Sequence, residues 1–164
     1  MSKSEKNLQD AFAGESQANR KYLAFAKKAE EEGHKQVAKL FRAAAAAETI
    51  HAHNHLRELG IVKSTRDNLM DAIKGESYEF QNMYPRMIAD AQAEGNSKAL
   101  QSFNYANAVE KVHAALYQKA LDSFGKNKDT DYYVCSVCGY TAEGEAPDEC
   151  PVCKSKKQAF HKVE

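Results

Sequence analysis

No cysteine occurs before position 135, and no proline before Pro85. The first absence keeps any disulfide framework out of most of the chain; the second leaves long helices uninterrupted. Charge of one sign is not in excess either: 23 Lys and Arg stand against 23 Asp and Glu, so neither nucleic acid nor an anionic membrane is implied as a general partner. No apolar run approaches the roughly 18 residues a transmembrane helix needs. The longest apolar stretches are short and alanine-rich, such as Ala43 to Ala47. The opening Met1-Ser2-Lys3-Ser4-Glu5 lacks the apolar core of a secretory signal, so a cytoplasmic location is expected.

What is present divides in two. A length of 164 residues permits one medium domain with a small appendage. Residues 1–124 read as helix almost throughout, 125–131 (Gly-Lys-Asn-Lys-Asp-Thr-Asp) as a polar linker, and 132–164 as a small metal-stapled module rich in Gly, Pro and Cys. Four helices are predicted. The first spans about Lys3 to Glu32, with Ser2 and Glu5 spaced as a capping box. The second spans about His34 to Leu59, with Gly60 following as its terminating residue. The third runs from about Thr65 to Glu94, with weak points at Gly75 and Pro85, and the fourth from about Asn96 to Phe124. Apolar positions recur every three or four residues, the pattern of helices in a bundle.

The helices repeat. A shift of 62 residues lays Tyr22 on Tyr84, Glu32-Gly33 on Glu94-Gly95, Phe41 on Phe103, Ala44 on Ala106, Glu48 on Glu110 and His51 on His113. Two copies of one helical hairpin are therefore expected. The match is imperfect at Glu15, which falls on Ser77, with Glu76 and Glu79 on either side.

Charge on the apolar stripes is the informative feature. Glu15, Glu48, Glu76, Glu79 and Glu110 occupy positions where core residues belong, and burying carboxylates is costly without a cation or partner. Each lies about 10–14 residues into its helix, or about 15–21 Å along the axis, so all could meet at mid-bundle. His51 and His113 follow Glu48 and Glu110 by three residues, on the same helix face. Two Glu-x-x-His helices with a glutamate from each of the others make a ferritin-like dinuclear site. Carboxylates bridge and neutralise two metals, and imidazole suits iron. Tyr22 and Tyr84 lie on the same stripes, either as aromatic core or as hydrogen-bond partners of the carboxylates. His34, His53 and His161 read as surface or capping residues, and His55 as packing or as a partner of the ligand set.

Cys135-x-x-Cys138-Gly139-Tyr140 and Cys150-Pro151-x-Cys153 are two knuckles of a tetrahedral tetrathiolate site. Gly139 lets backbone N–H groups approach sulfur. Iron and zinc take the same four ligands, and spacing alone does not separate them.

Together these motifs resemble the rubrerythrin family over nearly the full length: Glu15 in Ala-Gly-Glu-Ser, Glu48-x-x-His51, Gly75-Glu76-x-x-Glu79 before Met83-Tyr84-Pro85, Glu110-x-x-His113, and the two cysteine knuckles. No ligand position departs from the family pattern. The resemblance implies an all-α four-helix bundle of the ferritin-like kind, with a small C-terminal rubredoxin-like module of short β-strands and loops. It implies three iron ions per chain, two held by Glu15, Glu48, His51, Glu76, Glu79, Glu110 and His113, and one by Cys135, Cys138, Cys150 and Cys153. Zinc and manganese suit the same donors. It further implies reduction of hydrogen peroxide to water in oxidative-stress defence, with electrons from an external donor, rubredoxin or a reductase, passing through the tetrathiolate iron. Glu79 is the carboxylate that sets the family apart from plainer ferritin-like sites, and one iron is implied to move between it and His51. Iron storage in a cage and a zinc-stapled scaffold are the rival readings.

The link between the second and third helices bears on assembly. Ferritin-like topology makes those helices parallel, which requires the link to cover roughly 30 Å at ~1.5 Å per helical residue. Residues 60–64, fully extended, span only about 17 Å. Either the topology is up-down-up-down, or the last two helices pack in a second copy; a domain-swapped homodimer is expected. The cysteine module of one chain is expected to serve the di-iron site of another.

Overall fold

The computed structural model describes residues 2–164. The chain forms two compact units, one ending at Lys63 and the other running Ser64–Glu164. The first is a hairpin of α1 (Lys3–Glu31) and α2 (Lys35–Glu58). The Ser2 hydroxyl accepts from the Glu5 N–H at 3.1 Å, and the Glu5 carboxylate accepts from the Ser2 N–H at 2.6 Å, so the expected capping box starts α1. Gly33, at φ +82°, ends it in a reversal that few other residues adopt. There the N–H of His34 donates to Ala29 O at 2.8 Å and that of Gly33 to Glu30 O at 3.0 Å, a Schellman closure. Ala26, Ala29, Ala38 and Ala45 form a buried seam. Small side chains let the two backbones approach, and the buried Asn19 amide spans the gap, donating to Ala45 O at 2.7 Å and Thr49 Oγ1 at 2.9 Å. Tyr22, Phe25 and Phe41 cluster beside the seam, with ring centroids 5.6–6.4 Å apart.

The second unit repeats this hairpin and adds the cysteine module. Its helices are α3 (Thr65–Tyr78), α4 (Tyr84–Ala93) and α5 (Ser97–Asp122). Gly95 closes the α4–α5 turn at φ +68°, with the same pair of bonds, Asn96 N–H to Ala91 O and Gly95 N–H to Gln92 O. Tyr84 packs on Phe103 at 6.3 Å as Tyr22 packs on Phe41 at 6.2 Å. The module is a three-stranded antiparallel sheet in the order β2-β1-β3, with β1 Tyr132–Cys135, β2 Thr141–Glu143 and β3 Phe160–Val163. Tyr140 meets Phe160 edge-on at 6.3 Å in its small core. The module is joined to α5 by the His113–Thr141 hydrogen bond and the Lys119–Glu143 ion pair.

The expected third helix is not continuous. It passes through one π-helical turn, Glu79–Met83, whereas Gly75 lies inside regular α-helix. Tyr84 N–H donates to Glu79 O, five residues back. The turn ends two residues before Pro85, which has no N–H to donate and crowds the preceding turn. The π-turn also explains the flawed repeat. Gly14-Glu15-Ser16 matches Gly75-Glu76-Ser77 at a shift of 61, while Tyr22 matches Tyr84 at 62. One residue has entered between them, and a π-turn is how a helix accommodates a single extra residue without rotating everything beyond it. Deleting the exposed Gln81 is therefore expected to convert the π-turn to α-helix at a cost of about 1 kcal/mol or less. Deleting the exposed Lys21 from α1, which has no such turn, should cost more than about 4 kcal/mol by turning Ala26 and Ala29 off the seam. Thermal unfolding followed by circular dichroism compares the two.

No leucine, isoleucine or phenylalanine is buried among the described residues; in the helices, burial falls on alanines, Asn19 and Val109. Leu40 and Ile50 of α2 are 67% and 61% exposed. No helix among the described residues is long and apolar enough to cross a membrane.

Candidate metal centres

Three groups of ligand-type side chains converge. In the first unit, Glu15 of α1 and Glu48 and His51 of α2 bring one ligand atom each within 4.8 Å of one another. His51 Nδ1 lies 2.9 Å from Glu48 Oε2, the reach expected of an i, i+3 pair. The second unit holds Glu76, Glu110 and His113 within the same limit. His113 Nδ1 is 2.8 Å from Glu110 Oε2 and 3.9 Å from Glu76 Oε1. The two sets correspond through the repeat, but their imidazoles differ: the His51 side chain is 54% exposed and that of His113 28%.

Electrostatics in the second unit show how closely its carboxylates are held. Burial pushes the Glu76 carboxyl up to about 7, reinforced by its hydrogen bond with Glu110 and by the charges of Glu110 and Glu79. Burial also raises Glu79, helped by Glu110 and opposed by His113. Glu79 thus faces the cluster without belonging to its tightest three. The Tyr84 phenol is raised by burial and by the charges of Glu110, Glu79 and Glu76, which sets it beside the carboxylates. Tyr22 lies among Phe25 and Phe41. His34, His53 and His161 are exposed, and His55 is half-buried.

The four cysteines are free thiols with all sulfurs within 4.8 Å. Cys135 Sγ lies 3.6 Å from Cys153 Sγ, and Cys138 Sγ 3.5 Å from Cys150 Sγ. Those separations are too long for disulfides. They suit a tetrahedral ion with metal–sulfur bonds of ~2.3 Å, whose sulfurs sit about 3.8 Å apart. Burial raises the Cys138 and Cys150 thiols. Burial also opposes the Cys153 thiolate, but hydrogen bonds from the Ser155 hydroxyl and N–H and from the Cys138 and Cys150 thiols outweigh it and bring Cys153 down to about 6. The Tyr140 N–H favours the Cys138 thiolate, an approach that Gly139 permits at φ +83°. Crowded carboxylates with imidazole suit iron or manganese, and four converging thiols suit iron or zinc.

Two features escaped the sequence reading. The one-residue insertion was legible in the doubled Gly-Glu-Ser. The hydrogen bond between His113 Nε2 and Thr141 Oγ1, at 3.0 Å, had no sequence signal, because it joins residues 28 apart in different elements.

A carboxylate–histidine metal site paired with a tetrathiolate site defines the class. Residues 6–121 match the family model described as Rubrerythrin, and residues 133–161 that of the rubredoxin-like domain of rubrerythrin. The chain is 41% identical to nigerythrin of Nitratidesulfovibrio vulgaris over 94% of its own length and 83% of that protein's. It is 38% identical to Rubrerythrin-2 of Clostridium acetobutylicum, over 93% and 92% of the two chains. A solved structure of fully reduced, all-ferrous nigerythrin superposes with a TM-score of 0.61 at 37% identity, covering 99% of this chain and 88% of that one. The chain belongs to the rubrerythrin family. With that membership come a di-iron carboxylate site, a rubredoxin-like site and an iron-dependent role in oxidative stress.

Glu76 yields a pH prediction for the metal-free protein. Between its ordinary value of 4.5 and about 7, the folded state holds a proton that the unfolded state has lost. This contribution to stability is complete below 4.5 and disappears as pH rises through about 7. The melting temperature of metal-free protein should fall between pH 5 and pH 8. Glu76→Gln should flatten that slope, and a bound divalent metal, which displaces the proton, should reverse it.

Proposed function

We propose that this protein is a non-haem di-iron peroxidase that reduces hydrogen peroxide to water. Glu15, Glu48, His51, Glu76, Glu79, Glu110 and His113 would hold the two irons, and Cys135, Cys138, Cys150 and Cys153 a third. The observation that carries this reading is the joining of a carboxylate–histidine set and a four-thiol set in one compact unit. Bound iron would supply the two electrons of H2O2 + 2e⁻ + 2H⁺ → 2H2O, and an external donor, a rubredoxin or a reductase, would replace them through the thiol site. The chain's own residues hold the carboxylates partly out of water, which strengthens their attraction for cations. Tyr84 borders them as a potential hydrogen-bond donor. The proposed setting is the cytoplasm, whose reducing conditions would keep the four thiols available to a metal.

Stopped-flow spectroscopy tests this. Peroxide added to reduced, iron-loaded protein should oxidise the carboxylate site in one fast phase. Cys138→Ser should leave that phase intact and stop re-reduction by the external donor. Absence of the fast phase from the unmodified protein removes the peroxidase reading.

The active form is proposed to be a homodimer in which Glu15, Glu48 and His51 of one copy meet Glu76, Glu79, Glu110 and His113 of the other. Two features support it. Glu48 is ten residues from the end of α2 and Glu76 eleven from the start of α3, about 32 Å of axial travel at ~1.5 Å each. The six residues between those helices reach only about 20 Å fully extended, at ~3.4 Å each. The large apolar side chains left open on the helices, Leu40 and Ile50 among them, also call for an apolar cover, and a second copy supplies it. Co-expression distinguishes exchange from self-sufficiency. A chain with Glu15→Ala and Glu48→Ala, mixed with one bearing Glu110→Ala and His113→Ala, rebuilds one intact site only if the hairpins exchange. Recovered peroxide consumption supports exchange; a mixture as inactive as its components overturns it.

A further inference from the structure

The contact between the cysteine module and α5 does more than hold the module in place. Thr141, the first residue of β2, donates its hydroxyl proton to Gly139 O at 3.2 Å. Its oxygen lies 3.0 Å from His113 Nε2. A threonine hydroxyl has one proton, and here it is engaged, so toward the imidazole the oxygen can only accept. With the hydroxyl proton directed at Gly139 O, the ring hydrogen is assigned to Nε2. In the neutral ring that leaves the Nδ1 lone pair aimed at the Glu110 and Glu76 carboxylates, 2.8 and 3.9 Å away. A lone pair and two carboxylate oxygens converging on one point is an arrangement that a cation completes.

The geometry points to Thr141 as the positioning residue that fixes the tautomer and orientation of His113 for metal binding, supplied to the carboxylate site by the cysteine module. This rests on the reading of His113 as a metal ligand. Outer partners of this kind commonly shift metal affinity by about 10- to 100-fold. The usual partner is a carboxylate, a backbone carbonyl or water. Here a hydroxyl serves, polarised through the carbonyl of the residue after Cys138. The mostly exposed His51 of the corresponding set has a less enclosed setting, so the outer clamp distinguishes two otherwise duplicated histidines.

The test uses full-length protein with zinc in the thiol site and cobalt(II) titrated into the carboxylate site, followed by its visible absorption. A parallel zinc-loaded sample reports the His113 Nε2–H by proton NMR. Thr141→Val keeps the shape and removes the hydroxyl; Thr141→Ser restores it. Glu143→Gln removes the charge from another contact between module and α5, the ion pair with Lys119. Thr141→Val is expected to weaken cobalt binding about 10-fold or more and to lose the slowly exchanging Nε2–H resonance. Thr141→Ser should recover both, and Glu143→Gln should change neither. Equal affinity and an unchanged resonance in Thr141→Val overturn the proposal. So does a loss in Glu143→Gln matching that in Thr141→Val, because docking alone would then explain both. Failure of the unmodified protein to take up cobalt beyond its thiols would instead sink the underlying metal reading.

Discussion

Like charge held close, and partly away from water, is the constraint that the helices serve. Glu76 and Glu110 are close enough to hydrogen-bond, which with burial pushes the Glu76 carboxyl up, and Glu79 adds a third carboxylate to the field. Such a cluster is expensive in an empty helical protein and inexpensive around divalent metal. The four sulfurs pose the same problem in softer form, with two thiols driven up while one is drawn down. Both clusters read as cation sites because each holds more potential negative charge than its surroundings can neutralise.

The scaffold answers with rigidity at low bulk. Alanine seams bring α1 onto α2 closely enough for one asparagine to bond across, and this fixes Glu15 opposite Glu48. The second hairpin reuses the design with one residue added. Because the π-turn absorbs that residue, Glu76 and Tyr84 still face the same cluster although eight positions apart, where Glu15 and Tyr22 are seven apart. Widened turns of this sort recur at functional sites because they re-aim side chains without dismantling the helix.

Much of this was legible in the sequence for definite reasons. Helix limits followed from Ser2 and Gly60, whose chemistry acts on immediate neighbours; Gly33 and Gly95 close their turns in the same way but entered the sequence reading only through the repeat. The carboxylate and histidine sets followed from periodicity, because residues three or four apart must share a face. The π-turn was less accessible: a constant shift of 62 hid a change of register that only the doubled Gly-Glu-Ser betrays. The docking of the cysteine module on α5 was not legible at all. Thr141, Glu143 and Lys119 are ordinary surface residue types, and only tertiary structure brings them to their partners.

The bond from His113 to Thr141 has a consequence for maturation. Small cysteine modules of this kind acquire their shape from the ion they bind. Thr141 is three residues past Cys138, within the sheet that such an ion organises. The histidine on α5 emerges from the ribosome before the threonine that steadies it, and gains that support only when the thiols have been filled. On the proposed role of Thr141, the orientation of His113 in the carboxylate site depends on how the cysteine module is folded.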